Sequence, residues 1–182
     1  MDERRLVKVS KYLAKHLRHR PERLGLQIHP GGWVEVDALL DACRRASFEL
    51  SYEELVEVVA RNDKRRFSFD PSGTRIRANQ GHSVTIDLQL QPAEPPDVLY
   101  HGTGQTTVEV ILDEGLQPMG RHHVHLSPDV GTAIKVGARH GRPTVLQIDA
   151  GRMHADGATF FRTENDVWLT DHVAVDYLDV LT

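Results

Sequence analysis

The sequence predicts an α+β chain in two lobes, and three observations carry that prediction. Apolar residues recur every three or four positions in three segments before residue 62. Three prolines, Pro92, Pro95 and Pro96, then crowd five positions, where they fix φ and remove donors, so neither helix nor central strand passes through. Beyond them, short apolar runs bounded by Gly, Pro and Asp replace the helical spacing. Lobes over 1–91 and 98–182 joined by a linker at 92–97 are expected.

The first helix rests on Leu6, Val9, Leu13 and Leu17, spaced to face a core. Lys8, Lys11, Lys15 and Arg18 repeat that spacing on nearly the opposite side, so a basic stripe backs the apolar one. GGWVEVDALLDACRRA reads as a glycine turn, an extended entry at Trp33 and Val34, and a second helix capped by Asp37. SYEELVEVVARND is a third helix, with Ser51 and Glu54 in capping-box spacing. RRFSFD and TRIRAN alternate with period two about the turn Asp70-Pro71-Ser72-Gly73, a hairpin. Three helices and a two-stranded wing are in the order of a winged helix-turn-helix, which serves nucleic acid or protein contacts.

In the second lobe, strands are expected at VLYHG, HVHLS, PTVLQID and HVAVDYLDVL. Helices are expected at TTVEVILDEG, stopped by Gly115, and at DVGTAIKVGARHG. Many short strands and few helices argue for antiparallel sheets or a split sandwich.

Composition excludes several classes. There is no apolar run long enough to span a bilayer and no leader-like start, so a cytoplasmic protein without membrane contact is expected. The one cysteine, Cys43, rules out an internal disulfide framework and a thiolate zinc site, and its apolar neighbours make it a core residue. The net charge of -4 conceals an asymmetry: residues 1–92 carry 16 Lys+Arg against 13 Asp+Glu, whereas the remainder carries 6 against 13. The first 23 residues hold eight Lys+Arg and three acids, an excess suited to a few phosphates rather than to coating a polyanion.

Chemistry-bearing residues concentrate in RHHVHLS, with Arg121, His122, His123 and His125 inside five positions. Read as a strand, alternation places Arg121, His123 and His125 on one face. His123 and His125 would give zinc two ligands, but nothing nominates a third. Histidines hydrogen-bonded in a half-buried strand are the bland alternative. An anion or cofactor wall fits better, because arginine is a permanently charged fork and Ser127 adds a hydroxyl at the strand end. YHGT at 100–103 has a similar character: His101 follows an apolar run, and Gly102 would let backbone approach a ligand.

Five blocks in order, SKYLAKHLRHRPE (10–22), NDKRRFSF (62–69), LYHGT (99–103), GLQPMGRHHVHLS (115–127) and FRTENDVWLTDHVAVDYL (161–178), closely resemble the RNA 2′-phosphotransferase family, KptA and the tRNA 2′-phosphotransferases. The resemblance spans nearly the whole chain. It implies a winged-helix RNA lobe followed by an ADP-ribosyltransferase-like split β-sandwich lobe that binds NAD+. It also implies removal of an internal RNA 2′-phosphate, as at tRNA splice junctions. The 2′-phosphate attacks the nicotinamide ribose to give 2′-phospho-ADP-ribosylated RNA, which resolves to 2′-OH RNA and ADP-ribose 1″,2″-cyclic phosphate.

On this resemblance the catalytic set is Arg18 and His19 of the LRH motif, Arg66 of KxRF and Arg121 of MxRxHVHLS; Arg65 is the weaker alternative to Arg66. His101, Gly102 and Thr103 correspond to the HGT motif that holds NAD+, joined by His125 and Ser127. Glu164 sits near where protein-modifying relatives carry a late glutamate, but its surroundings match the phosphotransferase block. Lys8, Lys11 and Lys15 would lead RNA toward Arg18. NAD+ is expected to be consumed as co-substrate, with no metal, by a monomer. The rivals are an ADP-ribosyltransferase that leaves a stable adduct on another phosphorylated target, and a non-enzymatic winged-helix regulator that senses NAD+. His19, with an imidazole's reference pKa of about 6.5, serves either as general acid or as charged phosphate donor.

Overall fold

The computed structural model describes residues 1–61 and 65–181 and divides into two compact units, Met1–Gln89 and Leu90–Thr182. Helices and small antiparallel sheets occur in both, an α+β architecture.

In the first unit, α1 (Glu3–Arg18) is capped by Asp2, whose side chain accepts from Arg5 N at 2.7 Å. Leu6, Val9, Leu13 and Leu17 are buried as their spacing predicts. Lys8, Lys11 and Lys15 are exposed, whereas Arg18 is half-buried and so departs from the solvated stripe. After β1 (Trp33–Glu35) the chain enters α2 (Val36–Arg45). Asp37 is not its cap: the helix starts one residue before it, at Val36, whose N–H donates to Thr74 O across the sheet at 2.9 Å. A backbone acceptor there makes a side-chain cap unnecessary. In α3 (Tyr52–Ala60) both capping-box bonds form, Glu54 N to Ser51 Oγ and Ser51 N to the Glu54 carboxylate.

The expected hairpin is β2 (Phe67–Phe69) with β3 (Arg75–Ala78), and β1 pairs with the other edge of β3 in the order β1-β3-β2. Leu13, Leu17, Leu39, Leu55, Phe67 and Ile76 form a fully buried core between helices and sheet. Cys43 belongs to it, and burial pushes its thiol up to about 11, which leaves it an inert apolar residue at neutral pH.

The second unit contains β4 (Val98–Gly104), α4 (Val108–Glu114), β5 (Val124–Leu126), α5 (Val130–Gly137), β6 (Pro143–Asp149), α6 (Ala150–Ala155), β7 (Phe161–Arg162), β8 (Trp168–Thr170) and β9 (Leu178–Leu181). They make two antiparallel sheets, β4-β6-β9 and β5-β8-β7. A bridge links the sheets, with Tyr100 N to Ser127 O at 2.9 Å and Ser127 N to Tyr100 O at 2.7 Å. Gly115 ends α4 at φ +78°, as its position predicts.

Two strand expectations need correction. HVAVDYLDVL is a strand only from Leu178, because Val175–Tyr177 forms a 3-10 turn. RHHVHLS is a strand only from Val124. The proline-rich stretch packs within this unit: Ala93 N donates to Phe160 O at 2.8 Å and Pro95 is buried. Among the described residues, no helix is long and apolar enough to cross a membrane.

Candidate active site

In the first unit, two sequence-nominated residues close α1, and a third directly precedes β2. Arg18 occupies the last turn of α1, its Nη2 donating to the Arg66 carbonyl at 3.4 Å and its guanidinium lying 5.9 Å from the Phe67 ring centre. His19 is the residue that closes the helix, and it is exposed, with Nδ1 at 2.9 Å from Ser83 Oγ. Arg66 is half-buried and donates from Nη1 to Ser10 Oγ at 3.4 Å. Arg18 thus meets the Arg66 backbone, while the Arg66 guanidinium turns along α1 to Ser10; guanidinia and imidazole are the donor types that hold the oxygens of a phosphate.

The end of α1 and the start of β2 are held by residues that no motif had singled out. Buried Asn79 clasps the strand entry twice, N to Arg66 O at 2.9 Å and Nδ2 to Arg65 O at 2.7 Å. Arg65 adopts φ +39° and is exposed, so Arg66 rather than Arg65 takes the inward position. Gly81, at φ +84°, lies against Arg18: a Cβ there would be 3.6 Å from Nη1. Ser83 N donates to the Arg18 carbonyl at 3.0 Å. The segment 79–83 has no periodic signal, which is why pattern reading passed over it. Asn62, Asp63 and Lys64 of the second block, including the lysine of KxRF, lie outside the described residues. Of the three α1 lysines, Lys8 also lies 5.8 Å from the Phe48 ring centre.

In the second unit, β4 carries His101, Gly102 and Thr103. His101 Nδ1 is 3.1 Å from the His125 carbonyl, which can only accept, so the proton is on Nδ1. Burial holds this imidazole below its ordinary pKa, and the charges of His140 and Arg121 push the same way. His101 is therefore a neutral ring whose Nε2 carries a lone pair. Thr103 and Thr107 share a hydroxyl contact of 2.6 Å. Ser127 is buried at the end of β5, and His125 Nδ1 lies 3.0 Å from the His123 carbonyl.

Gly102 has a different reason from the one its sequence position suggests. A Cβ there would fall 1.7 Å from the Ala133 carbonyl, so the missing side chain is space taken by α5.

Arg121 is exposed in a bend before β5, its N–H donating to Pro118 O at 3.1 Å. The alternation expected from Arg121 through His125 does not operate, because a turn with Met119 at φ +56° precedes the strand. The histidines diverge accordingly. His123 turns to Asp171 at 3.8 Å and edge-on to Phe161, while His122 is exposed. Among the described residues, no three His, Cys, Asp or Glu side chains gather to hold a metal.

A family profile described as RNA 2′-phosphotransferase, Tpt1 / KptA family, matches residues 4–172. The chain belongs to the RNA 2′-phosphotransferase family. It is 56% identical over 181 residues to a "Probable RNA 2′-phosphotransferase" of Trichormus variabilis, with 100% of both chains covered. It is 58% identical to a relative of the same name from Streptomyces coelicolor, over 98% of this chain and 97% of that one. A relative from Hahella chejuensis, also so named, is 46% identical over 98% of this chain and 96% of its own. For an RNA 2′-phosphotransferase, the group to be held is a phosphate on RNA, for which arginine and histidine side chains are suitable donors.

Proposed function

We propose that the protein removes an internal 2′-phosphate from RNA with consumption of NAD+. The family, together with Arg18 and His19 at the end of α1 and the contact of Arg18 with the Arg66 backbone, supports this reading. On it, the first unit is a winged-helix RNA lobe and the second an ADP-ribosyltransferase-like lobe.

The nucleophile is a phosphate monoester, whose second pKa of about 6 leaves it largely dianionic at neutral pH, so no strong base is needed. Arginine forks orient its oxygens. NAD+ supplies an anomeric carbon bonded to a cationic leaving group. A phosphate oxygen bonds to that carbon, the C–N bond breaks, and nicotinamide leaves with the electron pair. The ribose 2″-hydroxyl then attacks phosphorus, the bond from phosphorus to the RNA 2′-oxygen breaks, and cyclic phosphate departs. The hydroxyl gives up one proton and the RNA 2′-oxygen takes one, so the step is proton-neutral.

Cationic donors stabilise charge building around phosphorus in that second step. His19 protonates the departing 2′-oxygen. On the cofactor side, Nε2 of neutral His101 accepts from a ribose hydroxyl, and an uncharged ring there avoids repelling the cationic nicotinamide. Gly102, Thr103, His125 and Ser127 complete that wall, and the resemblance assigns Arg121 to the phosphate.

Incubation with NAD+ and a 2′-phosphorylated oligonucleotide tests the reading. The expected products are 2′-OH RNA, nicotinamide and ADP-ribose 1″,2″-cyclic phosphate; a stable RNA adduct, or RNA binding without NAD+ use, would reject it. Arg66→Ala and Arg121→Ala should each lower turnover by about 10²-fold or more, a typical loss for a group that stabilises transition-state charge. Lys135→Ala, on an exposed face of α5, should not. His19→Ala should slow the second step more than the first, so that ADP-ribosylated RNA accumulates.

A further inference from the structure

The geometry points to Ser83 as a positioning residue for His19: its hydroxyl holds the imidazole so that Nε2 presents an N–H to the phosphate whether the ring is neutral or charged. This rests on the role of His19 proposed above.

Two contacts connect the same serine to the end of α1. Its backbone N–H donates to the Arg18 carbonyl at 3.0 Å, and its Oγ lies 2.9 Å from His19 Nδ1. Carbonyls in the last turn of a helix have no partner within the helix, so the first contact docks the 79–83 segment onto the helix end. The second then fixes the imidazole.

The kind of partner matters. His16, His101, His125 and His154 turn Nδ1 to the backbone carbonyls of Arg20, His125, His123 and Ala158. A carbonyl only accepts, so it keeps the proton on Nδ1, and a neutral ring held that way shows a lone pair at Nε2. Facing a phosphate, that lone pair would be repelled. A hydroxyl can donate or accept. With Ser83 donating to Nδ1, neutral His19 keeps its proton on Nε2; with Ser83 accepting, the imidazolium does too.

The arrangement suits a two-step reaction whose steps want different charge. Attack by the phosphate is faster beside a neutral donor, which leaves the nucleophile electron-rich. Breakage of the bond to the RNA 2′-oxygen needs a proton delivered from Nε2. Ser83 permits both without turning the ring. Both residues are exposed, so water competes for the bond and its loss is graded rather than total.

The experiment is single-turnover kinetics of both steps on the full-length protein, with NAD+ and a 2′-phosphorylated oligonucleotide. Wild type, Ser83→Ala, Ser83→Thr and His19→Ala are compared, with thermal unfolding of each. Ser83→Ala should slow the second step about tenfold, the scale of one lost hydrogen bond, and the first step by less. Ser83→Thr, which keeps the hydroxyl, should restore the second step to within about twofold, the residual allowing for one added methyl. The ¹⁵N shifts of the His19 ring should show a changed tautomer balance in Ser83→Ala alone.

The proposal is overturned if Ser83→Ala matches wild type in both steps, or if both steps fall equally together with the melting temperature. If His19→Ala itself leaves the second step unchanged, the role of His19 has failed and the proposal goes with it. A selective defect in His19→Ala that Ser83→Ala does not share rejects the role of Ser83 alone.

Discussion

Asn79 shows how one buried side chain decides which of two adjacent arginines can act. Its two bonds to the Arg65 and Arg66 carbonyls hold Arg65 at positive φ, a conformation that costs a non-glycine residue on the order of 1 kcal/mol, and turn Arg66 inward. Asn79→Ala removes the donor to Arg65 O while leaving the backbone bond. It should cost about 1–3 kcal/mol of stability in denaturant titration, and turnover should fall by more than the Lys135→Ala control. Equal turnover in the two variants would show that Arg66 does not need the clasp. Motif spacing nominated Arg66 over Arg65 by its place beside Phe67; the physical basis for that choice lies 13 residues downstream.

At the scale of elements, the contact between α5 and β4 depends on absent side chains. Cβ atoms would meet the Ala133 carbonyl from Gly102 at 1.7 Å and the Thr103 carbonyl from Gly137 at 2.7 Å. Backbone carbonyls of a packed helix and strand cannot yield by an ångström without separating the two. Gly102→Ala should therefore destabilise the protein by at least the ~1–3 kcal/mol usual for overpacking, read as a lower urea midpoint. An unchanged midpoint would mean that α5 shifts freely. The basic face of α1 makes a separate prediction. Lys11→Ala and Lys15→Ala should weaken RNA binding at low salt and reduce its salt dependence. Equal RNA affinity across 50–200 mM salt, about the range over which phosphate contacts are lost, would remove these lysines from the RNA path.

Across the whole molecule, stability should depend on pH through buried and half-buried histidines first. Burial lowers His16, His101 and His123 below the ordinary 6.5, so the unfolded chain takes up protons that the folded one refuses. Their contribution is complete above about pH 6.5, the unfolded value, and falls as pH drops through the folded ones. Glu54, held down by its bond with Arg5, and Asp129, held down by Thr132, add losses only below their ordinary 4.5 and 3.8. The melting temperature should decline from pH 7 to 5. His101→Asn, which keeps a donor for the His125 carbonyl and does not titrate, should flatten that slope; an identical slope would refute the assignment to His101.

The sequence by itself determined the α1 stripe, the α3 capping box and the β2–β3 hairpin, because each depends on neighbours within a few positions. It also determined the family, because five ordered blocks of chemistry-bearing residues survive without reference to shape. Tertiary structure alone decided where the β5 strand begins, why residue 102 has no side chain, and that His19 meets a serine 64 positions away. The physical reason is range: periodicity and caps report the local backbone, whereas the partner of a site residue is chosen by the packing of elements far apart in the chain.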